Sequence, residues 1–220
     1  LGFLRELLGC EFLDLDVREE WSARHSDSRE KIRAALSARW SEDLSDLSAP
    51  PRSLKSAISI SHCRLVGGFA LAPSEWALGF DVEEAARVRE SVMERVTTSQ
   101  ERAEAPSLGA LWAAKEAGFK ALSSQISLIS EISVGGWRPR LVPSLGTPVA
   151  TPVVSRRSNL SDVFSFELSN PQTTPERSQG VVFTREELVF ALFLKAPADI
   201  SQLRSGATEK SYIQGGVRNG

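Results

Sequence analysis

The feature that most constrains this chain is a succession of three strand-like runs with almost nothing between them. Residues 57–62, 65–71 and 76–82 read as strands of about five to seven residues. Links this short suggest an antiparallel meander. Upstream, a short helix at 3–8 and a strand at 11–17 precede an amphipathic helix over 28–40, with Ser28 as its cap and Ile32, Leu36 and Trp40 four residues apart. Downstream, a helix is predicted over 84–96, followed by a polar break at 99–106. The clearest helix of the chain then runs over 107–122. Ser107 caps it, and Leu108, Leu111, Trp112, Phe119 and Leu122 form its apolar stripe. Further strands are predicted at 126–134, 163–168, 181–183 and 188–195, with Gly135-Gly136 as a turn. Helices and strands grouped in this way predict an α+β fold rather than regular βαβ winding.

Length and composition narrow the function classes. A chain of 220 residues can build one large domain or two small ones. A net charge of -2 argues against a dedicated nucleic-acid binder, which carries a basic excess. Cys10 and Cys63 are the two cysteines, too few for a disulfide framework, so a reducing cytoplasm is the expected setting. No apolar run approaches the roughly 18–20 residues that span a bilayer, so no membrane is expected as a partner. The opening residues 1–8 are short and charged and do not read as a signal peptide. Residues 197–220 are polar and glycine-rich and read as a disordered tail.

Two motifs carry the chemistry. In Gly79-Phe80-Asp81-Val82-Glu83, alternate strand residues share a face, so Asp81 and Glu83 aim the same way and Val82 turns into the core. Carboxylates held side by side repel unless a cation lies between them, and their hard oxygens suit Mg²⁺ or Mn²⁺ over zinc. In Trp112-Ala113-Ala114-Lys115-Glu116-Ala117-Gly118-Phe119-Lys120, Glu116 and Lys120 stand at i and i+4 on one helix face, one turn beyond Trp112. Taken alone, each motif reads first as a surface feature: a solvated strand end in the first case, a surface ion pair in the second. Lys115 falls beside the apolar stripe and is placed to snorkel. Adjacent strand residues face opposite ways, so His62 and Cys63 do not form a Cys–His dyad, and two His with two Cys make a poor zinc set. Gly118 costs the helix about 1 kcal/mol relative to Ala and permits a close approach.

The order Ile60-Ser61-His62, then the Gly79–Glu83 segment, then Trp112-x-x-Lys115-Glu116-Ala117-x-x-Lys120 resembles the 4′-phosphopantetheinyl transferase superfamily, and its length is similar to the surfactin-type group. The resemblance implies a monomer of two similar α+β halves, each a small antiparallel sheet packed with a long helix. Residues 1–75 would form the first half and 76–196 the second. It implies transfer of the phosphopantetheine arm of coenzyme A to a serine of an apo acyl or peptidyl carrier protein. Mg²⁺ would be held by Asp81, Glu83 and Glu116. Glu116 and Lys120 would be catalytic, the first taking the serine proton and the second stabilising phosphate charge. Ser61, His62, Lys55 and Lys115 would bind CoA, with Arg52 and the basic run Arg24, Arg29, Lys31 and Arg33 as further contacts for its 3′-phosphate. The alternative is a catalytically lapsed CoA-binding module of the same fold. Retention of Asp81, Glu83, Glu116 and Lys120 together argues against it.

Overall fold

Alternation along one strand sets the layering of the molecule. In the computed structural model, which describes residues 1–48, 51, 53–141, 161–169 and 178–197, the strand β4 spans Ala77–Glu84. Leu78, Phe80 and Val82 point into one apolar cluster, while Gly79 and Asp81 point to the other side. β4 belongs to a five-stranded antiparallel sheet, in the order β4-β8-β7-β6-β5. The other members are β5 (Ser133–Arg140), β6 (Ser161–Ser169), β7 (Ser178–Arg185) and β8 (Leu188–Lys195). A three-stranded antiparallel sheet, in the order β1-β3-β2, is built from β1 (Asp14–Arg18), β2 (Ser56–His62) and β3 (Gly67–Pro73). The protein is thus α+β with two antiparallel sheets.

Three apolar clusters hold the layers. The helix α2 (Ser28–Trp40) covers one face of the small sheet, where Ile32 and Leu36 meet Phe69, Leu71 and Trp21. The opposite face, through Ala70 and Ala72, shares a cluster with Phe80, Val82, Leu192 and Leu194 of the large sheet and with Leu4 and Leu8 of α1 (Gly2–Leu8). The other face of the large sheet is covered by α5 (Leu108–Leu122), whose Leu111, Ala114 and Ala117 meet Val182, Ala191 and Phe193. Ser107 caps α5 by accepting from the Ala110 amide at 3.1 Å.

Several expectations are corrected. The three close-set strands do not form one meander: β2 pairs with β3, but β4 leaves to pair with β8. The helix predicted over 84–96 is cut short. Glu84 stays in β4, where its buried carboxylate accepts from the Arg64 amide and guanidinium, and α3 spans only Glu90–Val96. The polar stretch 99–106 contains α4 (Ser99–Glu104), begun by a Thr98/Glu101 capping box. Asp27, not Ser28, occupies the cap position of α2. The strand predicted at 126–134 begins only at Ser133, and Gly135-Gly136 is a bulge within β5 rather than a turn, with Gly136 at φ 63°. Arg52 and residues 198–220 of the expected tail lie outside the described residues.

Candidate active site

The close fit of α5 on β4 creates the site. A Cβ added at Gly79 would lie 1.7 Å from the Ala117 carbonyl oxygen, so the glycine lets the helix backbone rest directly on the strand. Gly118 serves a second contact, with Leu168 of β6 only 2.4 Å from where its Cβ would stand. The close approach predicted at Gly118 is therefore made within the chain. With α5 seated this way, Glu116 and Lys120 face Asp81 and Glu83 across one cleft.

Lys120 is the centre of the hydrogen bonding. Its ammonium donates to Asp81 Oδ1 at 2.7 Å, to the Phe80 carbonyl at 3.1 Å and to Ser61 Oγ at 3.1 Å. Ser61 Oγ in turn donates to Asp81 Oδ1 at 2.8 Å. The cleft encloses about 700 Å³, and His62, Glu83, Trp112, Glu116 and Phe119 line it beside this group. Arg29 and Arg33 of α2 line it as well, whereas Arg24 and Lys31 of the same basic run do not, Lys31 being paired with Asp27.

The electrostatics separate the carboxylates. Burial pushes the Glu116 carboxyl upward, Asp81 and Glu83 push it further, and Lys120 only moderates the rise. Glu83 is likewise raised by burial and by Asp81, against the Glu84 amide that it accepts from. Among the described residues, no three His, Cys, Asp or Glu side chains are set together as a ready metal-binding group. The donor chemistry nevertheless fits a hard divalent cation. Two half-buried carboxyls, Glu83 and Glu116, are held up in pKa beside Asp81, and positive charge between them is what removes that penalty.

Two residues expected in the site are elsewhere. Lys55 lines a separate cavity of about 1200 Å³ on the small sheet, where its ammonium meets Glu42 at 3.1 Å and the Trp40 carbonyl at 3.2 Å. Lys115 neither lines the cleft nor snorkels. It is 0% exposed, paired with Glu101 Oε1 at 2.9 Å and donating to the Ile132 carbonyl. One helical residue turns by about 100°, enough to send Glu116 to the cleft and Lys115 behind it. Burial works against the Lys115 charge. It also raises the Glu101 carboxyl, but the Thr98 and Val134 amides and Lys115 outweigh it and hold Glu101 ionised. With the carboxylate so fixed, the geometry is that of an ion pair. Glu101 was not singled out from the sequence, although Thr98-x-x-Glu101 is a capping-box pattern. Phe119, a member of the apolar stripe, also lines the cleft, and its place three residues beyond Glu116 is the sequence signal for that.

A helix laid on an antiparallel sheet, with a strand-borne acidic pair facing a helix-borne Glu and Lys, defines an α+β protein with a mixed acidic–basic cleft. Residues 77–138 match the family model of the 4′-phosphopantetheinyl transferase superfamily. The match begins at β4 and ends in β5, so it contains Asp81, Glu83, Glu116 and Lys120 but neither Ser61 nor His62. The superfamily's description gives the chemistry in general form, transfer of a phosphopantetheinyl group. No curated protein matches the chain.

Proposed function

We propose that this protein transfers the 4′-phosphopantetheine arm of coenzyme A to a serine of an apo acyl or peptidyl carrier protein, with Mg²⁺ (or Mn²⁺) as cofactor, and releases adenosine 3′,5′-bisphosphate. The observation that carries the reading is the meeting of Lys120 and Asp81 at 2.7 Å beside Glu116, three residues that lie in the matched stretch and face one cleft. Asp81, Glu83 and Glu116 would hold the metal. Bound there, Mg²⁺ supplies charge that neutralises the pyrophosphate and polarises the reacting phosphorus.

The chain's own groups account for the remaining steps. The carrier serine oxygen bonds to the phosphorus that bears the pantetheine. The bond from that phosphorus to the bisphosphate oxygen breaks, and its electron pair leaves with the bisphosphate. Glu116 takes the serine proton, a role suited to a carboxyl whose pKa is raised toward the working range. Lys120, held at Asp81, sets its positive charge beside the phosphate oxygens on which charge builds. His62, Arg29 and Arg33 line the cleft as contacts for the phosphates of CoA. Two sheets in one chain that both border the cleft support the monomeric, two-halved arrangement of the surfactin-type group. Free, buried Cys10 and Cys63 accord with a cytoplasmic setting. No helix among the described residues is long and apolar enough to cross a membrane.

The test is intact-mass analysis of apo carrier proteins after incubation with CoA, Mg²⁺ and this protein. A mass gain of one phosphopantetheinyl group is expected. Failure to modify any of several acyl and peptidyl carriers overturns the proposal.

A further inference from the structure

β2 and β4 lie side by side without sharing a ladder, since their partners are β3 and β8. Side chains make the seam instead. Ser59 Oγ accepts from the Phe80 amide at 2.9 Å, and Ser61 Oγ accepts from the Val82 amide at 3.3 Å. Serines at alternate positions of β2 thus take the two amides of β4 that flank Asp81.

The Ser61 hydroxyl can be accounted for completely. A hydroxyl offers one proton and two lone pairs. The Lys120 ammonium and the Val82 amide can only donate, so they occupy the lone pairs, at 3.1 and 3.3 Å. The proton is then committed to Asp81 Oδ1 at 2.8 Å. Nothing remains for a substrate phosphate, and the residue is 8% exposed. We infer that Ser61 is a positioning residue rather than a CoA ligand: its hydroxyl holds the Asp81 carboxylate and the Lys120 ammonium at fixed spacing. The strand and helix parts of the site are in this way set from the neighbouring sheet. The kinetic consequence rests on the proposed transferase reading; the positioning itself does not.

The experiment compares the 220-residue chain with its Ser61→Ala, Ser61→Thr and Ser59→Ala variants. Three quantities are read: CoA affinity by calorimetry without divalent metal, turnover on a carrier protein, and the rate at which Lys120 is acetylated by N-hydroxysuccinimidyl acetate, followed by peptide mass spectrometry. Ser61→Ala is expected to leave CoA affinity within about twofold while turnover at saturating CoA falls about tenfold or more, the scale of a lost charge-assisted hydrogen bond. Lys120 should be acetylated several-fold faster. Ser61→Thr, which keeps the hydroxyl, should restore both. Ser59→Ala removes the other seam hydroxyl and should change neither. Should Ser61→Ala fail to fold, Ser61→Cys, with its weak thiol partner, carries the same comparison. Weaker CoA binding with unchanged turnover would make Ser61 a ligand and overturn the inference. So would Lys120 acetylation that is the same in wild type and Ser61→Ala. If the wild-type chain modifies no carrier, the transferase reading falls, and the acetylation comparison alone decides the positioning.

Discussion

Glu116 shows how one side chain acquires a function from its surroundings. On an isolated helix it would be half of a weak i,i+4 pair with Lys120. Here Lys120 is turned to Asp81, and Glu116 is left half-buried beside Asp81 and Glu83, its own carboxyl raised in pKa. Glu116→Gln is predicted to lower transfer by roughly 10²–10⁴-fold, the usual contribution of a general base, while leaving the fold intact. The pH dependence has a definite sign. A carboxyl whose folded pKa is raised binds more protons in the folded state, so stability is greatest below its ordinary value of 4.5 and falls as pH rises through the elevated value. Thermal melts in EDTA should show this decline in the wild type and a shallower one in Glu116→Gln. Equal slopes would mean that Glu116 ionises without penalty.

At the scale of the element, α5 is fixed from two sides. One is the Gly79–Ala117 contact, where any Cβ would meet a backbone carbonyl that cannot swing aside. Gly79→Ala is predicted to cost about 1–3 kcal/mol or more, as overpacking does, and to lower activity because the helix must lift away from Asp81. Urea unfolding measures the first effect and carrier modification the second. The other side is the buried Lys115–Glu101 pair, in which Glu101 also accepts from the Thr98 and Val134 amides. Lys115→Met leaves a buried carboxylate without its partner and should destabilise by about 3–5 kcal/mol. The double variant Glu101→Gln, Lys115→Met should recover much of that loss. If the double variant is no better than the single one, the lysine is held there by packing rather than by charge.

For the whole molecule, the site belongs to neither sheet alone. Asp81 and Glu83 come from the large sheet, Glu116 and Lys120 from the helix laid on it, and Ser61 and His62 from the edge of the small sheet. A cation bound among the three carboxylates would bind the folded state alone. Linkage then predicts a stabilisation of about 2.7 kcal/mol at a concentration of 100 times its dissociation constant. Mg²⁺ should therefore raise the melting temperature of the wild type above its value in EDTA, and should not do so for the double variant Asp81→Asn, Glu116→Gln. An equal rise in both would place the metal elsewhere.

The sequence alone determined the pieces of this protein. The helix at Leu108–Leu122, its Ser107 cap and the strands that carry His62 and Asp81 were legible because periodicity and capping are local properties. The shared face of Asp81 and Glu83 follows from strand alternation, and the pairing of motifs pointed to the superfamily whose model matches residues 77–138. Tertiary structure decided what each charge meets. Lys115 and Glu116 are neighbours in the chain, yet one is closed into an ion pair with Glu101 and the other opens into the cleft. Lys55, close before the Ser-His strand, faces a different cavity. The departure of β4 from its neighbours to pair with β8, more than 100 residues away, could not be read locally, because strand pairing depends on which distant edge has amides and carbonyls to offer. That departure leaves β2 and β4 to be joined by serine hydroxyls, and it is at this seam that Asp81 and Lys120 are held.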